Sequence, residues 1–358
     1  MPRAGPTTCP TSPSTSRRSS FRRRRARARP GISLFPSDAA GLAALARRTP
    51  LAPLRVEALA GDVGRRRYFR LHLPDARTAV GVVYPPDEDG ARRRWIAVRA
   101  MLGKAVRVPE LIADDQGGNQ IVEDLGHADL AALLAAAPSE RALWLGRAAD
   151  AAAAISGLPD PGINPPFDAD LFRRELDLAR EAIFDILEKR PLTPDERTIH
   201  DAWADALVRE ILGHPSALCH RDFHGNNLFP IGDGVAVIDF QDARRGPDAY
   251  DLASLLWERT TLDWMDEAQS AAVIDRFAAR RGLEPGAFAA RLDRVLLQRA
   301  WKVCGTFARA VGLGKGEAYR RYLPEELALV RRLLGKRPED RRFAAVLTSR
   351  LTPGLLSC

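Results

Sequence analysis

The chain has only four cysteines in 358 residues, Cys9, Cys219, Cys304 and Cys358, spread from one end to the other. This spacing excludes a disulfide framework and any Cys-x-x-Cys metal pattern, and it suits a reducing, cytoplasmic compartment. A zinc reading of Cys219, His220, His224 and nearby His214 fails as well, because the spacing matches no common zinc site. No apolar run approaches the ~18 residues of a membrane span, so none is expected. The excess of positive charge is narrower than it looks. The formal net charge is +8, yet residues 1–30 hold nine arginines and no acidic residue. The rest carries 45 basic and 46 acidic side chains, so no nucleic-acid partner is inferred from it.

The first 35 residues, rich in Arg, Ser and Pro, offer almost nothing to bury and are expected to be disordered. An organelle transit peptide, an export signal or a basic arm for RNA or an anionic membrane are the functional readings. No apolar segment follows the twin arginines, which argues against export. A functionless prefix, or a start codon placed too far upstream, accounts for the composition best.

What is present is concentrated between Ser216 and Leu256. His220, Asp222 and Asn227 stand in the spacing H-x-D-x-x-x-x-N on a loop. A hairpin turning at Gly232, Asp233 and Gly234 then leads through the apolar run Val235 to Ile238 to a second carboxylate, Asp239. Phosphoryl transfer needs these parts. Asp222 is placed to accept the proton of an attacking hydroxyl. A hard cation such as Mg2+ takes carboxylate and amide oxygens, which Asn227 and Asp239 supply. Gly225 lets the loop bend tightly.

HRDFHGNN followed by VIDFQDARRGPDAYDLASLL resembles the aminoglycoside phosphotransferase and choline kinase superfamily, which shares the protein kinase fold. The similarity is closest to bacterial anomeric kinases that phosphorylate the 1-hydroxyl of N-acetylmuramate and N-acetylglucosamine in cell-wall recycling, and it runs from about Gly61 to about Leu334. The resemblance implies ATP and Mg2+ as cofactors, Asp222 as catalytic base, and Asn227 and Asp239 as metal ligands. It also implies that His220 and Asp251 support the catalytic loop. A small-molecule sugar would be the substrate, and a sugar-1-phosphate uridylyltransferase the metabolic partner. Arg221, His224, Gln241 and Asp242 face the acceptor in this reading. Arg244 and Arg245 suit a neutral or acidic sugar better than a polycationic aminoglycoside.

The fold expected is α+β: bilobal and protein-kinase-like, with a small antiparallel-sheet N-lobe over 36–126 and a larger, mainly helical C-lobe over 127–340. Residues 341–358 are expected to be loosely attached. In the N-lobe, Gly61 and Gly64 form a turn whose backbone covers the nucleotide phosphates, with Arg67 and its neighbours Arg65 and Arg66 as cationic help. Glu123 and Leu125 mark the adenine-binding hinge. One departure from the family stands out. Strand Thr78 to Tyr84 lacks the phosphate-contacting lysine, and helix Ala91 to Lys104 lacks the glutamate that would hold it. Either magnesium and the loop arginines neutralise the phosphates, or the protein is a nucleotide-binding pseudokinase. An aminoglycoside or other small-alcohol kinase is the alternative within the kinase class. Trp301, Phe307, Tyr319 and Tyr322 are candidates for ring stacking or for core.

Overall fold

The computed structural model describes residues 36–59, 65–258, 260–261 and 264–356. The expected tail at 1–35 and the glycine turn with Gly61 and Gly64 therefore lie outside the described residues. The described residues open with helix α1 (Pro36–Ala46), followed by strands β1 (Arg55–Ala58), β2 (Arg67–His72) and β3 (Thr78–Val83). Helix α2 (Asp89–Leu102) precedes β4 (Leu111–Asp114) and β5 (Asn119–Glu123). The five strands form one antiparallel sheet in the order β1-β2-β3-β5-β4.

Alternation along β2 and β3 gives the sheet two faces. Phe69, Leu71 and Ala79 join Leu42, Leu45 and Ile121 in a small core beneath α1. Gly81 is needed there, because a Cβ at that position would come within 2.7 Å of Leu42. The opposite face presents Tyr68, Val80, Val82 and Tyr84 to a cleft.

After β5 the chain is mostly helical: α3 (Leu130–Ala136), α4 (Arg141–Ser156), α5 (Ala169–Arg180) and α6 (Pro194–Leu212). Asp129 caps α3, its carboxylate accepting the Ala132 N–H at 2.8 Å. The capping box expected at Thr193 and Glu196 opens α6, with Pro194 at its first position. Four short strands follow, β6 (Ser216–Cys219), β7 (Leu228–Ile231), β8 (Gly234–Val237) and β9 (Arg244–Pro247). β6 pairs with β9 and β7 with β8, so the loops between them are held at both ends. Helices α7 (Tyr250–Leu256), α8 (Glu267–Arg281), α9 (Pro285–Gly312), α10 (Leu323–Gly335) and α11 (Arg341–Arg350) complete the large core. The pattern read as one helix from Asp168 to Lys189 is α5 followed by a wide π turn over Glu181–Leu187. Gly305 and Gly312 bring α9 so close to this segment that a Cβ would meet Ala179 at 2.3 Å and Ile186 at 2.8 Å.

One expectation is overturned. Residues 341–358 are not loosely attached across their described part. Phe343 is 1% exposed and stacks on Trp203 at 4.2 Å, with Val346, Leu347 and Leu351 also buried. The carboxylate of Glu196 pairs with Arg350 and ties α6 to the end of α11. Trp301, Phe307, Tyr319 and Tyr322 belong to the core or pack against it, as the stacked Phe307 and Tyr319 rings 5.0 Å apart illustrate.

Candidate active site

The loop between β6 and β7 is fixed from three directions. Asp251, in the first turn of α7, accepts the backbone N–H of His220 at 2.7 Å and that of Arg221 at 3.0 Å. The His220 ring is fully buried, its Nε2 2.9 Å from the Ile238 carbonyl, which clamps the loop to the end of β8. Arg299 of α9, also buried, donates to the Arg221 carbonyl at 3.1 Å and to the Ser254 hydroxyl at 2.7 Å, and lies over the Tyr250 ring. Arg221 adopts φ +84°, a strained value for a non-glycine residue, held by these bonds at its N–H and carbonyl. Gly225 sits against the backbone of Ala131, where a Cβ would come within 3.0 Å.

Asp222 lies between these supports. Burial works to raise its carboxyl, but Lys302, Arg299, His220 and Arg221 outweigh it and hold the group below its ordinary value. Its ionised form is therefore secured by four surrounding cationic side chains or imidazoles. Burial pushes the His224 imidazole down, so it is neutral at pH 7 and able to exchange hydrogen bonds.

Asn227 and Asp239 meet on one wall of the cleft. The Asn227 amide donates to the Asp222 carbonyl at 2.9 Å through its nitrogen. The Ile238 N–H donates to the Asn227 carbonyl at 3.0 Å and brings Asp239 alongside, itself at φ +60°. One Asp239 oxygen accepts from Gln241 at 2.9 Å. An amide oxygen and an exposed carboxylate fit a hard divalent cation such as Mg2+.

The cleft measures about 390 Å³ and runs from the sheet to β7 and β8. Tyr68, Val80, Val82, Tyr84 and Trp95 give it an apolar floor, and Glu123, Asp124, Leu125 and Gly126 form one edge. Glu123 and Leu125 both line the cleft, with the Glu123 carboxylate occupied by Arg107 at 2.5 Å. Arg70 holds the same edge through a 2.6 Å pair with the buried Asp124. Val80 and Val82 are the cleft-facing residues of β3, and Trp95 faces it from α2, so neither element supplies a charge.

Of the three arginines expected as cationic help, Arg66 alone lines the cleft. Arg67 points away, pairing with Asp38 of α1 at 2.8 Å. Its neighbour Arg66 lines the cleft instead, its guanidinium 5.9 Å from the Tyr84 ring centroid and within the field of Asp239. Arg65 is engaged by Asp87 at the surface.

Gln241 lines the cleft beside Asp239, and Arg221 lies within the field of Asp242. Asn164, from the proline-rich loop before α5, donates to the carbonyls of Gln241 at 2.9 Å and Ala243 at 2.8 Å and so fixes that turn. Glu175 of α5 reaches Lys302 at 3.1 Å and Arg221 at 3.5 Å. Asn164, Glu175, Arg299 and Lys302 were not found from the sequence, because each is brought in from a distant segment with no motif of its own.

Among known proteins, the family model described as "Phosphotransferase enzyme family" (APH) matches residues 55–292. The N-acetylmuramate/N-acetylglucosamine kinase of Neisseria meningitidis serogroup B is 30% identical over 80% of this chain and 85% of its own. The kinase of the same name from Pseudomonas aeruginosa is also 30% identical, over 83% of this chain and 89% of its own. Two solved structures share the fold. ADP-bound aminoglycoside phosphotransferase APH(2'')-Ib superposes with TM-score 0.57 at 14% identity, covering 86% of this chain and 99% of that one. A choline/ethanolamine kinase family protein from Mesorhizobium loti gives TM-score 0.57 at 16% identity, covering 88% and 99%.

Proposed function

The chain belongs to the APH phosphotransferase enzyme family, and on that premise we propose that it moves the γ-phosphoryl group of ATP to the anomeric hydroxyl of N-acetylmuramate or N-acetylglucosamine. The observation that carries this reading is the role of Asn227 as a bridge. Its side chain is bonded to the Asp222 backbone while it shares the wall of the nucleotide-sized cleft with Asp239. Base and metal ligands are thereby linked through one side chain.

In this reading Asp222 accepts the hydroxyl proton as the sugar oxygen forms its bond to the γ-phosphorus. The bond from that phosphorus to the bridging oxygen breaks, and ADP leaves with the electron pair. Asn227 and Asp239 would hold Mg2+, which when bound supplies charge neutralisation at the phosphates. Adenine packs between Val80, Val82 and the edge at 123–126, which we take as the hinge between lobes 36–126 and 127–340. Arg66 stands in for the strand lysine, supplying charge from the neighbouring strand. His220 and Asp251 are positioning residues for the loop, and His224, Gln241 and Asp242 hydrogen-bond the sugar. Positioning and fixed charge do the work, with no covalent intermediate on the protein.

A sugar-1-phosphate made this way would be consumed by a uridylyltransferase in cell-wall recycling in the cytoplasm. No described helix is long and apolar enough to cross a membrane. Phosphorus NMR of the product tests the position of transfer: an anomeric phosphate signal coupled to H1 is expected, and phosphate on any other carbon contradicts the assignment.

A further inference from the structure

Arg221, Arg244 and Lys302 form a cluster of cations whose ion pairs are long or shared. Glu175 is shared between Lys302 and Arg221 through one oxygen, while its other oxygen accepts from Gln298 at 2.9 Å. Arg244, at the start of β9, donates its Nε to the Asp242 carbonyl at 3.0 Å. Its guanidinium is 3.7 Å from the Asp242 carboxylate, a loose pair. Burial and then the charge of Arg221 both weigh against the Arg244 cation. The buried Nε of Arg221 has no hydrogen-bond partner among the described residues. Two guanidiniums and an ammonium thus share Glu175, Asp242 and the nearby charge of Asp222, and part of their donor capacity is unmet.

Leaving buried donors and half-buried like charges unsatisfied is costly unless a ligand completes them. The ligand that meets these donors must accept hydrogen bonds, and an anion does so best. It is not the nucleotide held in the cleft, because Arg221, Arg244 and Lys302 are all absent from the residues that line it. Lys302 and Arg221 act on Asp222 instead, Lys302 the more strongly, and Arg244 lies within the field of Arg221. A sugar presenting a hydroxyl to Asp222 brings its neighbouring substituents against them.

We propose that Arg244, with Arg221 and Lys302, forms a subsite for a carboxylate on the acceptor, so that the enzyme prefers an acetylated amino sugar with an acid substituent over its neutral counterpart. The planar fork of Arg244 suits a carboxylate bidentately. N-acetylmuramate carries such a group in its lactyl ether, and N-acetylglucosamine does not. The inference deepens the proposed function and rests on it.

The test compares kcat/KM for N-acetylmuramate, its lactyl methyl ester and N-acetylglucosamine, using the full chain and its Arg244→Gln, Arg244→Lys and Lys302→Met variants. The unaltered protein is expected to favour the free acid over the ester by tenfold or more, which needs no variant to fold. Arg244→Gln should reduce the ratio of N-acetylmuramate to N-acetylglucosamine by at least tenfold, with part of it kept in Arg244→Lys and a smaller reduction in Lys302→Met. Equal treatment of acid and ester by the unaltered protein overturns the inference. So does an equal loss on both sugars in Arg244→Gln, which would place these cations on the transferred phosphoryl group. Absence of turnover on either sugar by the unaltered protein overturns the function reading, and the subsite with it.

Discussion

The Asp251 carboxylate accepts the backbone N–H of His220 at 2.7 Å and, through its other oxygen, the N–H of the following residue. It is a buried acid whose two oxygens are spent on the loop that carries Asp222. Hydrogen bonds to a charged acceptor contribute ~1.5–3 kcal/mol each, so Asp251→Ala should destabilise the protein by a few kcal/mol. The loop should lose its geometry before the fold is lost. Urea unfolding and kcat measured together are expected to show kcat falling at least tenfold under conditions where the variant remains folded.

Arg66 and Arg67 differ in direction, and that difference is measurable. Arg66→Gln should weaken ADP binding about tenfold, equivalent to ~1.4 kcal/mol. Arg67→Gln should change it little, since that side chain is directed to Asp38. Calorimetric titration with ADP distinguishes them, and the reverse order of effects would contradict the assignment of Arg66.

If Asp222 is the base, as proposed, the charge around it sets the acid limb of activity. Its carboxylate is the competent form and its pKa is depressed, so activity as pH falls is retained until below the usual aspartate value of about 3.9. Lys302→Met removes the largest opposing charge and leaves burial less resisted. The acid limb of kcat/KM should then move upward. An unmoved limb would mean that Lys302 does not act on Asp222.

Glu326 of α10 is 1% exposed, and neither of its carboxyl oxygens has a hydrogen-bond partner among the described residues. Burial, reinforced by Glu258, pushes its pKa up to about 8. A raised acid binds its proton more tightly in the folded state. Stability is therefore lost as pH rises from the unfolded value near 4.3 through about 8, and the loss is complete above that. Glu326→Gln should match the wild type near pH 4 and exceed it by a few kcal/mol at pH 9. Melting temperatures of the pair at both pH values check this, and a constant difference would contradict it.

How much the sequence disclosed depends on how local each feature is. His220, Asp222, Asn227 and Asp239 were legible because one loop and one hairpin hold them at fixed spacing. The arginine run was not: three consecutive arginines give no phase for strand alternation, and it is the pairing of β2 with β3 that turns Arg66 inward. Glu175, Arg299 and Lys302 lie on helices far along the chain, and only the packing of α5 and α9 against the loop reveals them. Phe343, Val346 and Leu347 did carry a signal. Their i, i+3, i+4 spacing marks the buried side of a helix, and the arginines around them hid it.

The most direct test of the account is Mg2+-dependent ADP release by the purified protein with N-acetylmuramate, N-acetylglucosamine, kanamycin or choline as sole acceptor, with Asp222→Ala alongside. Turnover with the acetylated sugars, reduced by roughly 10²–10⁴ in the variant as removal of a general base requires, is the predicted result. Turnover confined to kanamycin or choline, or nucleotide binding with no turnover on any acceptor, would contradict it.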